Sequence, residues 1–118
     1  MGTSNLRQVS DDVAPTAPLD LTVEAGPQTT IALKGDLDPA TAPLLEEAVA
    51  AAVADASVER VILDLSGLGF LDSSGLRVFV TAREQLAGRA AGLALRHPSS
   101  NIRRLLDLTG LDEVIEVE

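Results

Sequence analysis

The chain has 118 residues, a length that suits one domain with a modest core. Its net charge of −9 repels nucleic-acid phosphates, and the absence of cysteine excludes both disulfides and thiolate metal sites. His97 stands alone, which argues against a histidine metal site, and with Phe70 and Phe79 as the only aromatics the core must be built from Leu, Val, Ile and Ala.

Residues 1–18 are polar and without periodicity, with Asp11–Asp12 and prolines at 15 and 18, and read as a flexible tail ahead of a domain over 19–118. Leu19, Leu21 and Val23 alternate with polar residues, the period of a half-buried strand. Gly26–Pro27 signals a turn, and Thr29–Lys34 reads as a second strand, antiparallel to the first because the connection is short. Leu45, Ala48, Val49, Ala52, Val53 and Ala56 recur at helical spacing. Pro39 and Pro43 are tolerated only near the first turn of that helix, with Asp38 or Thr41 as its cap. Val61–Leu65 is β-branched and almost wholly apolar, as expected of a central strand covered on both faces, and SGLG then reads as a loop.

From Gly75 to about Gly88 a second helix is expected, with Leu76, Phe79, Val80, Leu86 and Ala87 on one face. Arg77, Val78, Thr81, Glu84 and Gln85 lie on the other, and Arg83 falls within the apolar arc, its stem packed and its head in solvent. Leu93–Leu95 is a short strand. Ser99 or Ser100 caps a third helix carrying Ile102, Leu105 and Leu106, stopped at Gly110. Val114, Ile115 and Val117 complete an edge strand. The order ββαβαβαβ describes an α/β domain whose mixed sheet is mostly parallel, because helical crossovers join the later strands. No apolar run approaches the ~20 residues of a membrane span, and the N-terminus lacks a signal-peptide pattern, so a cytoplasmic protein is expected.

Ligands and partners of such sheets gather at the carboxyl ends of the parallel strands. GDLDPAT and LDSSG fall there, so neighbouring strands would bring Asp36, Asp38, Thr41, Asp72, Ser73 and Ser74 to one edge. Enzyme patterns fail on these residues. DLDPAT starts like the aspartyl-phosphate motif DxDx[TV], but Ala40 stands where Thr or Val belongs, and the only lysine, Lys34, comes before it. Leu71 occupies the first glycine position of a G-x-S-x-G elbow, His97 sits in a loop, and no glycine is followed by lysine as a P-loop demands. The aspartates alone lack a phosphate-cradling partner for Mg²⁺. No catalytic residue, metal or cofactor is expected. Local physics leaves two readings of DSSG: a helix cap and nothing more, or a cap that also presents Ser73 for phosphorylation, where a phosphate would meet helix N–H groups and the positive end of the macrodipole.

GDLDPATA, VILDLSGLGFLDSSGLRV and LLDLTGLDEV, in this order and spacing, resemble the STAS domain of bacterial anti-sigma factor antagonists over about residues 19–118. The resemblance implies that Ser73, directly after Asp72, is phosphorylated by a partner that is both anti-sigma factor and serine kinase. The unmodified protein would bind that partner and free the sigma factor, and a serine phosphatase would reset phospho-Ser73. It further implies partner contacts through Asp36, Asp38, Thr41, Asp72, Ser73, Ser74, Arg77 and Val78. Arg77 stands where some members carry glycine, and would tune which kinase is recognised. The alternative is a STAS scaffold or a soluble subunit of a transport system, without a sigma-factor partner. Few large exposed apolar residues are expected, hence a monomer without membrane or nucleic-acid contacts.

Overall fold

The computed structural model describes residues 18–118, so the tail expected over 1–18 lies, apart from Pro18, outside the described residues. Strands β1 (Asp20–Glu24) and β2 (Gln28–Leu37) form the antiparallel pair. Then follow α1 (Ala42–Ala54), β3 (Arg60–Leu71), α2 (Ser73–Ala87), β4 (Gly92–Arg96), α3 (Ser100–Thr109), a single 3₁₀ turn at Leu111–Glu113 and β5 (Glu116–Val117). The element order is the expected one.

The five strands lie side by side in chain order, β2 to β5 all parallel. Each crossover therefore steps in the same direction. Right-handed crossovers that never reverse direction place every helix on one face of the sheet. The core agrees: Leu45 and Val49 of α1, Phe79 and Leu86 of α2, and Ile102 and Leu106 of α3 join Ile31, Leu33, Leu63 and Leu95 in one cluster. Ile62 and Ala94 are buried too, but outside that cluster. Val61–Leu65 is thus central, yet among the described residues only one of its faces carries helices.

Both parallel strands at the centre run further than the sequence suggests. Gly35, Asp36 and Leu37 belong to β2, and SGLGFL belongs to β3 rather than to a loop. The reason is a pair of bulges. Lys34 pairs with Gly67 where simple counting from Ala32–Asp64 would give Ser66, and the register slips again between Gly35–Leu68 and Asp36–Phe70. Each slip adds one residue to β3. The buried positions Leu65, Leu68 and Leu71 consequently fall three apart, not two, and the strand loses its alternating signature. Gly35 has φ +119°, and a Cβ there would collide with the Pro18 carbonyl, so the first strand's entry needs glycine at this point.

Smaller departures follow from local competition. Ala56 lies beyond α1 and is exposed, because Asp55 ends the helix and turns back to accept hydrogen bonds from Ser57 N and Oγ. Arg89 Nη2 donates to the Asp55 and Ala56 carbonyls, closing that helix end. Ala87 is exposed, whereas Arg83, also exposed, donates from Nε to the Val114 carbonyl at 2.7 Å. Val114 ends the 3₁₀ turn and is exposed, Ile115 is buried, and only Glu116–Val117 pairs as strand. Ser99 caps α3, its Oγ accepting from Ile102 N, and Gly110 ends it in the left-handed region, both as expected.

The edge strand β5 is short, and ion pairs flank its backbone pairing with β4. Arg60 Nη2 lies 2.6 Å from Glu118 Oε2 and 3.0 Å from Glu116 Oε2, and Arg96 Nε lies 2.9 Å from Glu118 Oε1. Hydrogen bonds from Arg60 and then Arg96 hold the Glu118 carboxyl down at about 2, against 4.5 for the free side chain. A depressed carboxylate favours the fold above its unfolded value and loses that contribution as pH falls toward the folded one. We therefore expect the amide of Glu118, bonded to the Leu95 carbonyl at 2.7 Å, to lose exchange protection between about pH 4.5 and 2 while β3 amides keep theirs. Glu118→Gln should abolish the pH step. Equal loss across the sheet would show that the pairing does not act locally.

Candidate partner-binding site

β2 and β3 reach the same end of the sheet in step, with Asp36 opposite Phe70 and Leu37 opposite Leu71. The Asp72 N–H then donates to the Leu37 carbonyl at 3.3 Å, so the chain leaves β3 still tied to β2. Asp72 caps α2. Its Oδ1 accepts from Ser74 N at 2.9 Å and Gly75 N at 3.3 Å, and its carbonyl accepts the first helical bond from Leu76 N at 3.1 Å. Asp72 thus has a structural duty in addition to its place beside the serine, worth typically ~1 kcal/mol.

Gly75 explains the remainder of the motif. It is buried, and a Cβ added to it would collide with Leu71 Cδ1 and come within 2.6 Å of Leu37 Cδ2. The first turn of α2 therefore rests directly on the last core side chains of β2 and β3. That seat turns Ser73 outward. Ser73 is exposed and Ser74 is half-buried, and both stand at the helix N-terminus, where backbone N–H groups and the macrodipole favour negative charge.

The other expected residues divide between the surface and the scaffold. Asp38 and Thr41 are 6% and 9% exposed and are consumed by their own turn. Asp38 Oδ1 accepts from Ala40 N and Thr41 N, each at 3.0 Å, while Thr41 Oγ1 donates to the Asp36 carbonyl at 2.8 Å and accepts from Asp38 N at 3.0 Å. The loop they brace presents Pro39 and Ala40, which are exposed. Thr41 occupies the N-cap of α1 without bonding its N–H groups, since its hydroxyl is already engaged. Val78 is corrected outright. It is 3% exposed and joins the core, because α2 presses Gly75, Val78, Phe79 and Ala82 inward together. Arg77 is exposed one helical turn beyond Ser73, the i,i+4 spacing at which side chains meet.

One surface residue was not anticipated. Phe70, 47% exposed, stands at the same strand end, opposite Asp36 in the ladder. Its neighbour Leu71 faces the helices, so alternation turns Phe70 to the other face of the sheet. The bulge at Gly69 sets this alternation, and only a reading of the register could have found it. Gly69 itself lies against Asp36: a Cβ there would sit 3.5 Å from Asp36 Oδ1.

The assembled edge offers a hydroxyl, an exposed aromatic ring, an arginine and two carboxylates on rigid supports. Among the described residues no group of His, Cys, Asp and Glu could hold a metal ion. Comparison with known proteins matches residues 21–116 to the family model described as "Mlab, STAS domain". An anti-sigma-B factor antagonist of Listeria monocytogenes is 37% identical over 89 residues, covering 75% of this chain and 76% of the relative. The crystal structure of an anti-sigma factor antagonist from Mycobacterium paratuberculosis superposes with a TM-score of 0.71 at 34% identity, covering 84% of each chain. The Bacillus cell fate determinant SpoIIAA in its phosphorylated form shares the fold, with a TM-score of 0.66 at 23% identity over 85% of this chain and 90% of that one.

The geometry separates Gly75 from Ser73 in their effects on stability. Gly75→Ala should lower stability by ~1–3 kcal/mol through overpacking against Leu37 and Leu71, and Asp72→Ala by ~1 kcal/mol through loss of the cap. Ser73→Ala should stay within ~0.5 kcal/mol, as an exposed position does. Denaturant unfolding of the three variants tests the order, and a large loss for Ser73→Ala would mean that the hydroxyl is structural.

Proposed function

The chain belongs to the STAS-domain family, and we propose that it is an anti-sigma factor antagonist that works by partner switching in the cytoplasm. In its unmodified form it binds an anti-sigma factor that is also a serine kinase, and the sigma factor is released. Phosphorylation of Ser73 ends that binding, and a serine phosphatase restores it. The observation that carries this reading is the seat of α2: an exposed serine on a rigid helix N-terminus, with its neighbours Asp72 and Gly75 committed to holding it there.

Exposure supports Ser73 as acceptor over Ser74, which is half-buried, and over Thr41, whose hydroxyl is bonded within its turn. A phosphate adds about −1.5 to −2 charge to a chain already at −9, beside Asp72. Buried in an interface, that charge meets repulsion and a desolvation cost. A loss of ~3 kcal/mol is already more than a hundredfold in affinity. Arg77 adds a second element. While Ser73 is neutral, its guanidinium is available to an acidic group of the partner; once Ser73 carries phosphate, the i,i+4 spacing lets the phosphate take it. No refolding is needed, and a Bacillus protein of this fold adopts it while phosphorylated.

The test is calorimetry against the purified cognate kinase, with phosphopeptide mapping. Ser73→Ala should accept no phosphate and bind at least as well as the unmodified protein. Phospho-Ser73 protein should bind about a hundredfold more weakly, Ser73→Asp at an intermediate level, and Arg77→Glu roughly tenfold more weakly than the unmodified chain. A phosphate mapped to Ser74 or Thr41, or equal affinities for Ser73→Ala and the phosphorylated protein, would defeat the reading.

A further inference from the structure

We propose that the free edge of β1 is a second docking surface, built to accept an extended segment of another protein in which aliphatic residues alternate with Lys or Arg. β1 is the outer strand of the sheet among the described residues, so one side of its ladder is unpaired. Such an edge is a template for another strand, and natural sheets usually blunt it with charged side chains, lysine above all, with proline or with a bulge. Asp20–Glu24, DLTVE, contains no proline or lysine and pairs with β2 without a slip, so its only guards are the carboxylates of Asp20 and Glu24, which repel acidic strands and not basic ones.

The edge is also incompletely covered. Leu21 and Val23 stand opposite Leu33 and Ile31, the core side of the sheet, yet Val23 is 52% exposed. Between β1 and α1 lie two open hollows of about 360 and 220 Å³ that meet at Ala48. Leu19, Leu21 and Val23 line them on the strand side, and Leu44, Ala48 and Ala51 on the helix side. They form an apolar trough along an unpaired strand. Alternate side chains of an added strand would fall into it, which is how strand addition obtains specificity beyond its backbone bonds.

Charge selects the occupant. Asp20 and Glu24 lie on the opposite face of β1, and Glu47 and Asp55 flank the trough along α1. A second copy of this chain fits badly: antiparallel pairing about Thr22 would set Leu21 against Val23 of the other copy but Asp20 against its Glu24. Like charges directly opposite destabilise a pair, and each chain carries −9 overall. The same carboxylates favour a basic strand. β1 flanks β2 on the side away from β3, so this edge and the Ser73 edge belong to different sides of the sheet.

The probe is an end-blocked heptapeptide alternating Lys and Val, titrated into the full chain by fluorescence anisotropy and followed by amide NMR shifts. It should bind, with shifts concentrated on β1, while an alternating Glu and Val peptide should bind about tenfold more weakly or not at all. In an added strand all Val amides point one way and all Lys amides the other. N-methylation of one set should therefore cost about tenfold or more in affinity, and of the other set little. Val23→Glu and Glu24→Lys should each weaken binding, whereas Ser73→Asp should leave it unchanged, which separates this proposal from the phosphorylation switch. Equal effects of the two N-methylated peptides, equal binding of the acidic peptide, shifts centred on β5, or a stable dimer in light scattering would each overturn it.

Discussion

The contact between Gly75 and the side chains of Leu37 and Leu71 is the constraint on which the site depends. β2 and β3 end side by side only because the ladder between them continues, through two bulges, to Leu37–Leu71. α2 can start there only if its third residue has no side chain. Asp72 then spends its carboxylate on the Ser74 and Gly75 amides, and Ser73 is left as the one residue of the turn that faces outward. The short motif DSSG is a packing solution whose by-product is an accessible hydroxyl on a rigid mount.

A rigid mount suits a switch that acts through charge. If the serine sat on a mobile loop, an added phosphate could swing away from the partner and lose much of its effect. On the first turn of a helix pressed against the core, a phosphate on Ser73 would stay where it is placed. The Asp38–Thr41 turn serves the neighbouring loop in the same way, since its bonds stop Pro39 and Ala40 from drifting. Both loops of the edge are therefore held by side chains bonded to their own backbone.

Most of the architecture was legible in the residues, and most of the failures share one physical source. Alternation found β1, helical spacing found the helices, and DSSG with its flanking apolar strand pointed to the edge where the polar residues converge. What escaped notice depends on register. The bulges turned the period of β3 from two to three beyond Leu65, so SGLG resembled a loop and the exposed position of Phe70 gave no signal. Val78 was misplaced for a related reason: beside a glycine that permits close approach, the buried arc of α2 shifts toward Gly75, Val78 and Ala82. Sequence likewise gives no sign that the Asp38 carboxylate and the Thr41 hydroxyl bond within their own turn. The Arg60, Arg96 and Glu118 cluster joins residues far apart in the chain, and no local pattern announces it.

The strands lie in the sheet in the order in which they occur in the chain. No segment has to thread past one already placed, and no strand must wait for a distant one before it can pair. As the chain emerges during synthesis, the β1–β2 hairpin can form first, and each later helix–strand unit can then dock on an edge that already exists. Sequence separations between paired strands stay short, which is the condition for fast folding in a mostly parallel sheet. A regulator assembled this way grows from one side, and Ser73, the proposed acceptor, emerges only after β2 and β3, the two strands that hold it, have been made.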